Sequence, residues 1–195
     1  MNFLAHAYLS FDEPQVLVGN MISDFVKGKK RYEYIKGIQN GIELHRRIDC
    51  FTDAHLATIA AKKIFKPEYR LYSGAIVDIV FDHFLANDAG IFSEASLLQF
   101  SDEVYKILED HSSHLPVRFV SVLSNMKTQN WLFNYRHIHG VERSIRGLVR
   151  RSTYLSDYET AFNIFNEHYH QLEICYQQFF QDVKYFSQQQ ITLIS

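Results

Sequence analysis

Residues Gly74–Ala86 read GAIVDIVFDHFLA. Apolar side chains occupy nearly every face of this segment, the pattern of a helix inside a protein rather than on its surface. Asp78 and Asp82 nevertheless lie in it four residues apart, on one helical face, with His83 beside the second. An unpaired carboxylate in such a place costs several kcal/mol or takes up a proton. What these two carboxylates meet is therefore the question that decides both the fold and the chemistry.

The rest of the chain is of one kind with this segment. Of its 195 residues 47% are hydrophobic and 22% charged, which are values of a globular protein. With only eight glycines and three prolines, the chain has little turn punctuation for an all-β fold. Helices are expected over roughly 2–10, 14–26, 32–50, 54–65, 69–87, 93–112, 117–126, 137–150 and 155–187. The expected fold is all-α, a single-domain helical bundle spanning residues 1–195. Pro14, Pro67 and Pro116 fall near proposed helix starts, where the missing N–H is not needed. Thr52 or Asp53 is placed to cap the helix at 54, and Ser93 the helix that follows it. Gly28 and Gly90 stand where helices should stop. Ile164, Phe165, His168, Leu172, Cys175, Tyr176 and Phe179 recur at helical spacing and read as core.

The two cysteines, Cys50 and Cys175, stand far apart in no metal-like spacing, so both are read as reduced thiols. The N-terminal stretch MNFLAHAYLSF has no basic flank and no cleavage signature, and no run of about 18 apolar residues occurs. A cytoplasmic protein is expected. The net charge of −2 is unevenly placed. Residues 27–66 carry ten Lys/Arg against Glu33, Glu43, Asp49 and Asp53, and residues 152–195 carry five acids against Lys184. A solvated surface accounts for much of this; an acidic partner docking on the basic side is the sharper reading.

Other segments repeat the pattern of the opening helix. His45 and Asp49 share a face in ELHRRIDCFTD, Asn20 and Asp24 in GNMISDFVKG, and Asn2 and His6 in MNFLAHAYL. Any one of these alone reads as a satisfied core group. If several converge, the cheapest shared partner is a divalent metal, or a metal together with arginines. Imidazole plus several carboxylates is a hard, mixed N/O donor set that suits Mn²⁺, Mg²⁺ or Fe²⁺ better than a thiolate zinc site does. The natural reaction of such a site is phosphoester hydrolysis, with an Asp or His left as general acid or base.

Four stretches, MNFLAHAYLS, GNMISDFVKG, GIELHRRIDCFTDAH and VDIVFDHFLA, together resemble the acyl carrier protein phosphodiesterases. The likeness extends more weakly through NWLFNYRHIHGVERSIRGLVRR. The resemblance implies a helical fold distantly related to the HD-type phosphohydrolases. It also implies a Mn²⁺-dependent reaction that removes 4′-phosphopantetheine from a serine of holo-acyl carrier protein. The partner it implies is that strongly acidic protein, with no nucleic acid and no membrane involved. Matched residue by residue, it implies functional roles for Asp24, His45, Asp49, Asp78, Asp82 and His83, with His6 in a supporting or structural role. Two departures stand out. The adjacent pair reads Asp82-His83, the reverse of the HD order, and Asn87-Asp88-Ala89-Gly90 stands where a tryptophan is expected after DHFLA.

The expected metal ligands are thus Asp24, His45, Asp49, Asp78 and Asp82, and the expected catalytic residues Asp24, His45, Asp82 and His83. Lys27, Arg46, Arg47, Arg143 and Arg146 are the expected substrate-binding cations, the last two lying with Arg150 on one helical stripe. Two other functions fit the residues: an HD-like metal-dependent nucleotide phosphohydrolase, and a non-catalytic helical module that binds an acidic protein.

Overall fold

Helix α5 (Ser73–Asn87), which contains the opening segment, is a post around which four other helices stand. It packs against α1 (Phe3–Tyr8), α4 (Leu56–Tyr69), α9 (Ile138–Arg151) and α11 (Tyr169–Ile194). The computed structural model describes residues 1–194, and among these all regular structure is helical. The remaining helices are α2 (Pro14–Ile22), α3 (Lys36–Ala54), α6 (Glu94–Asp110), α7 (Val117–Thr128), α8 (Trp131–Asn134) and α10 (Glu159–Glu167). Short 3-10 turns occupy Ser23–Phe25, Gly28–Glu33, Arg70–Tyr72 and Ser112–His114. The all-α expectation therefore holds. No described helix is long and apolar enough to cross a membrane.

Ile76, Val77, Val80, Phe81 and Leu85 of α5 are wholly buried, as its all-round apolar pattern requires. In α3, Ile38, Gly41, Ile42, His45, Ile48 and Thr52 recur at three- and four-residue spacing and form the buried stripe. His45 is thus carried on the core-facing side of a 19-residue helix, where rigid backbone holds it.

Several boundaries differ from expectation, each for a local reason. The segment expected as one helix over 155–187 is two: α10 ends at Glu167 and α11 begins at Tyr169, with His168 between them. Residues 155–158 lie outside either helix, because the Asp157 carboxylate accepts from the N–H groups of Glu159 (2.9 Å) and Thr160 (3.2 Å) and so starts α10 there. Thr52 and Asp53 belong to α3 itself. It is His55 that caps α4, its Nδ1 accepting from the Ala57 N–H at 3.2 Å. Pro67 lies inside α4 rather than at a start. Ser93 caps α6 as expected, in a reciprocal arrangement with Ser96. Asp24 sits in the 3-10 turn after α2, not on that helix.

Helices α2 and α3 cross backbone to backbone, and two glycines make the crossing possible. A Cβ at Gly19 would stand 2.1 Å from the Ile38 carbonyl oxygen, and one at Gly41 would stand 2.1 Å from that of Val16. Only bare backbone allows this approach, and it brings the main chain of Asn20 within hydrogen-bonding reach of His45. Gly41→Ala is therefore expected to destabilise the protein by about 1–3 kcal/mol through overpacking, measured by urea unfolding. Alanine at the exposed Gly28, with nothing near its Cβ, is the control for backbone effects, since it brings only the strain of a positive φ.

Candidate metal centre

Four side chains from three segments meet at the outer end of the α2–α3 crossing. His45 Nε2 lies 3.1 Å from Asp49 Oδ2, one turn along α3, and 3.4 Å from Asp24 Oδ1. The other ring nitrogen, Nδ1, faces the Asn20 carbonyl oxygen at 2.8 Å, the bond that the glycine crossing makes possible. This contact fixes the ring and leaves Nε2 directed at the carboxylates.

His6 of α1 completes the group. Its ring stacks on that of His45, with centroids 3.9 Å apart and planes 15° from parallel. His6 Nε2 faces Asp49 Oδ1 at 3.3 Å, yet neither His6 ring nitrogen completes a hydrogen bond. The ring is buried and its nitrogens are orphaned, a costly state for a polar group. Nitrogen or oxygen atoms of His6, His45 and Asp49 all lie within 4.8 Å of one another, close enough to share one cation. Orphaned imidazole nitrogens beside a carboxylate fit a divalent ion with mixed N/O preference. These three residues are a candidate His/Asp metal site.

The electrostatics show how crowded the site is. Burial works against a charged His45, but its bonds to Asp24 and Asp49 prevail and hold its pKa up at about 9. His6 goes the other way: burial, reinforced by the neighbouring His45, pushes it down to about 4. Burial opposes ionisation of Asp49, yet the two histidines hold its carboxyl well below the usual range. The bond to His45 lowers that of Asp24 as well. Without a metal, one proton on His45 bridges two carboxylates while the stacked His6 stays neutral.

The two aspartates of α5 answer to α1. Asp82 is wholly buried, and its carboxylate accepts from the N–H groups of Leu4 (2.8 Å), Ala5 (3.2 Å) and Asn2 (3.4 Å). It caps the first turn of α1 from a distant helix, supplying partners for N–H groups that no helix can satisfy internally. Burial raises its pKa to about 7 against the pull of these bonds. Asp78 Oδ1 lies 2.9 Å from the amino nitrogen of Met1, which stands 3.8 Å from Asp49 Oδ1. Asp78 is thus linked to the cluster through Met1, while Asp82 is committed to backbone.

None of the other expected residues is among the four side chains that meet in the cluster. His83 projects from a different face of α5, its Nδ1 at 2.7 Å from the Tyr135 carbonyl oxygen and its Nε2 at 3.0 Å from the Tyr169 hydroxyl. Arg46 donates to the Val26 carbonyl oxygen at 3.3 Å. Arg47 is held by Glu43 and by Gln190. Lys27 is exposed. Arg143 and Arg146 line a cavity of about 540 Å³ beside Phe3, Ile79 and Trp131. A cavity of about 400 Å³ shares those three residues and Arg151 with it and reaches Asp24, Asp78 and Met1. His6 proves central to the geometry, and its sequence signal, a lone histidine in the apolar FLAHAY turn, is weak.

Fold and geometry together define an all-α protein that carries imidazole and carboxylate donors from three segments, with no thiol among them. Comparison with known sequences gives the family. A model for the family described as acyl carrier protein phosphodiesterase matches residues 1–183. Proteins named acyl carrier protein phosphodiesterase are 32% identical in Photorhabdus laumondii, over 92% of this chain and 91% of the relative, and 33% identical in Enterobacter sp. strain 638, over 92% and 94%. The one from Yersinia pestis is 32% identical over 89% of this chain and 90% of its own. This chain belongs to the acyl carrier protein phosphodiesterase family. No solved structure matches it.

Two outcomes test the geometry. Replacing Asp82 with alanine leaves the Leu4 and Ala5 N–H groups without their partner and is expected to cost about 1–3 kcal/mol. Asp82→Asn, which keeps one acceptor oxygen, should cost less in the same urea titration. The second outcome is a pH dependence in chelator-treated protein. The folded pKa of His45 is raised from 6.5 to about 9, so its contribution is full below pH 6.5 and lost as pH rises through about 9. The difference in unfolding free energy between wild type and His45→Gln should shrink over that window, as read by thermal or urea unfolding at each pH.

Proposed function

We propose that this protein hydrolyses the phosphodiester between 4′-phosphopantetheine and a serine of holo-acyl carrier protein, leaving the apo form. The single observation that carries the reading is the stacked His6–His45 pair facing Asp49 and Asp24, found in a chain that belongs to the acyl carrier protein phosphodiesterase family. One domain spanning residues 1–195 in the cytoplasm performs it on this reading, and no nucleic acid takes part.

His6, His45 and Asp49 are the residues that would hold the metal, with Asp24 the fourth donor and Asp78 at the margin. Mn²⁺ is the proposed ion, since the donors are imidazole and carboxylate; Mg²⁺ or Fe²⁺ would satisfy the same set. Such an ion, when bound, activates water and screens charge on the phosphoryl oxygens. The chain's own groups do the remainder. The Asn20 carbonyl orients His45, and Asp82 orients His6 through the backbone of α1. Asp24, with 77% of its side chain exposed, is the carboxylate best placed to move a proton at the cavity mouth. Asp49, 42% exposed and shared by both imidazoles, is better suited to hold charge than to release it. Arg151 lines the same cavity as Asp24 and supplies a cation there, while Arg46 and Arg47 are engaged with other groups.

The test is the intact mass of holo-acyl carrier protein after incubation with this protein. Loss of the phosphopantetheine mass is expected with Mn²⁺ and none with chelator. Asp49→Ala should slow the reaction by about 100-fold or more. An unchanged mass with correctly folded, metal-loaded wild type would refute the proposed substrate.

A further inference from the structure

Two cavities meet at Ala75 and Asp78, the carboxylate that Met1 links to the cluster. The one toward α4, about 560 Å³, is lined by Lys62, Lys63, Lys66 and Arg70 together with Ile59 and Leu71. The other contains Asp24, is walled by Phe3, Ile79, Val122 and Trp131, and runs on into the cavity that Arg143 lines. Asp78 thus stands between a basic cavity and one with mostly apolar walls that also holds Asp24 and Arg151.

The basic side is built on one face of a single helix. Leu56, Ile59, Lys62, Lys63 and Lys66 recur at helical spacing along α4, and Arg70 continues the line into the following turn. Leu56 is 80% exposed and Leu71 96% exposed, so large apolar side chains stand in solvent among the lysines. Two acids line the same cavity: Asp53, which pairs with Lys62 at 2.6 Å, and Asp78, which faces Met1. Lys63, Lys66 and Arg70 have no acidic partner among the described residues. Glu68, the one acid within α4, falls on the opposite side of the helix. Arg70 also holds a backbone conformation suited to glycine, with φ 44° and ψ −112°.

We propose that the acidic face of the carrier protein docks on this α4 surface, while the phosphopantetheine arm runs the opposite way, past Phe3, Ile79, Val122 and Trp131. The inference deepens the functional reading above and rests on it. A phosphodiester has two sides, and here the two sides of the substrate differ sharply in chemistry. Unpaired cations interspersed with exposed leucine complement an acidic protein surface that carries some apolar contacts. The arm is a slender chain of methyl groups and amides. Its groove offers the apolar walls of Phe3, Ile79, Val122 and Trp131, with the side-chain amides of Asn125 and Gln129 and the guanidinium groups of Arg143 and Arg150 further along. The rival docking surface is the arginine stripe of α9. There Arg146 is already paired with Glu142 and stacked on the Tyr158 ring at 4.4 Å, and Arg143, Arg146 and Arg150 themselves line the groove assigned to the arm.

Apo-carrier protein lacks the arm, so its binding reports on the protein face alone. Its Kd is measured by titration calorimetry against wild type, a Lys63→Glu/Lys66→Glu pair and an Arg143→Glu/Arg150→Glu pair, each checked for folding by circular dichroism. KM and kcat for holo-carrier protein are measured alongside. The lysine pair should weaken apo binding at least tenfold more than the arginine pair does, and should raise KM with little change in kcat. A larger loss in the arginine pair, or equal losses in both, overturns the docking assignment while leaving the reaction intact. Wild type that neither binds the carrier protein nor removes its phosphopantetheine refutes the functional reading and the docking surface together.

Discussion

The bond between a buried carboxylate in one helix and first-turn N–H groups of another holds this architecture together. Asp82 lies in a helix that is apolar on nearly every face, and α1 is only six residues long. A helix that short cannot sustain itself, because most of its backbone groups lie in end turns. By accepting from Leu4 and Ala5, Asp82 converts the isolated turn into a fixed part of the core. Asp78, one turn earlier, engages Met1. The two carboxylates that look out of place in GAIVDIVFDHFLA are the clamp that lays α1, and His6 with it, over His45.

A second clamp works from the other side. Gly19 and Gly41 let α2 and α3 touch backbone to backbone, and the Asn20 carbonyl then fixes the tautomer and direction of His45. Two imidazoles brought face to face by independent devices cannot both hold a proton comfortably. The structure resolves this by charging one and not the other. His45 is held protonated between carboxylates and His6 neutral beside it. Protons and a divalent ion compete for such a site, since ligation requires the imidazoles to be neutral.

Much of this was legible in the chain, and the rest was not for identifiable reasons. The interior nature of α5 follows from its composition, the start of α6 from Ser93, and the pairing of His45 with Asp49 from four-residue spacing on a helix. The break between α10 and α11 at His168 carries no glycine or proline, and the apolar stripe runs through it unbroken. Asp24 leaves the face it would share with Asn20 because α2 tightens into a 3-10 turn after Ile22. The partner of Asp82 is backbone, which has no signature in side-chain patterns. His83 adjoins Asp82 in sequence, but neighbouring helical residues point about 100° apart. That rotation carries it to Tyr135 and Tyr169 instead. Glycines at 19 and 41, each within a helical pattern where alanine would be favoured, were the visible trace of the crossing that orients the site.

The proposal that His6, His45 and Asp49 hold one metal ion is open to anomalous diffraction from crystals grown with Mn²⁺. A strong peak is expected about 2 Å from His45 Nε2 and from an Asp49 oxygen, with His6 turned toward the same point. A peak held instead by Asp78 or Asp82, with His6 and His45 still bridged only by Asp49, would contradict it.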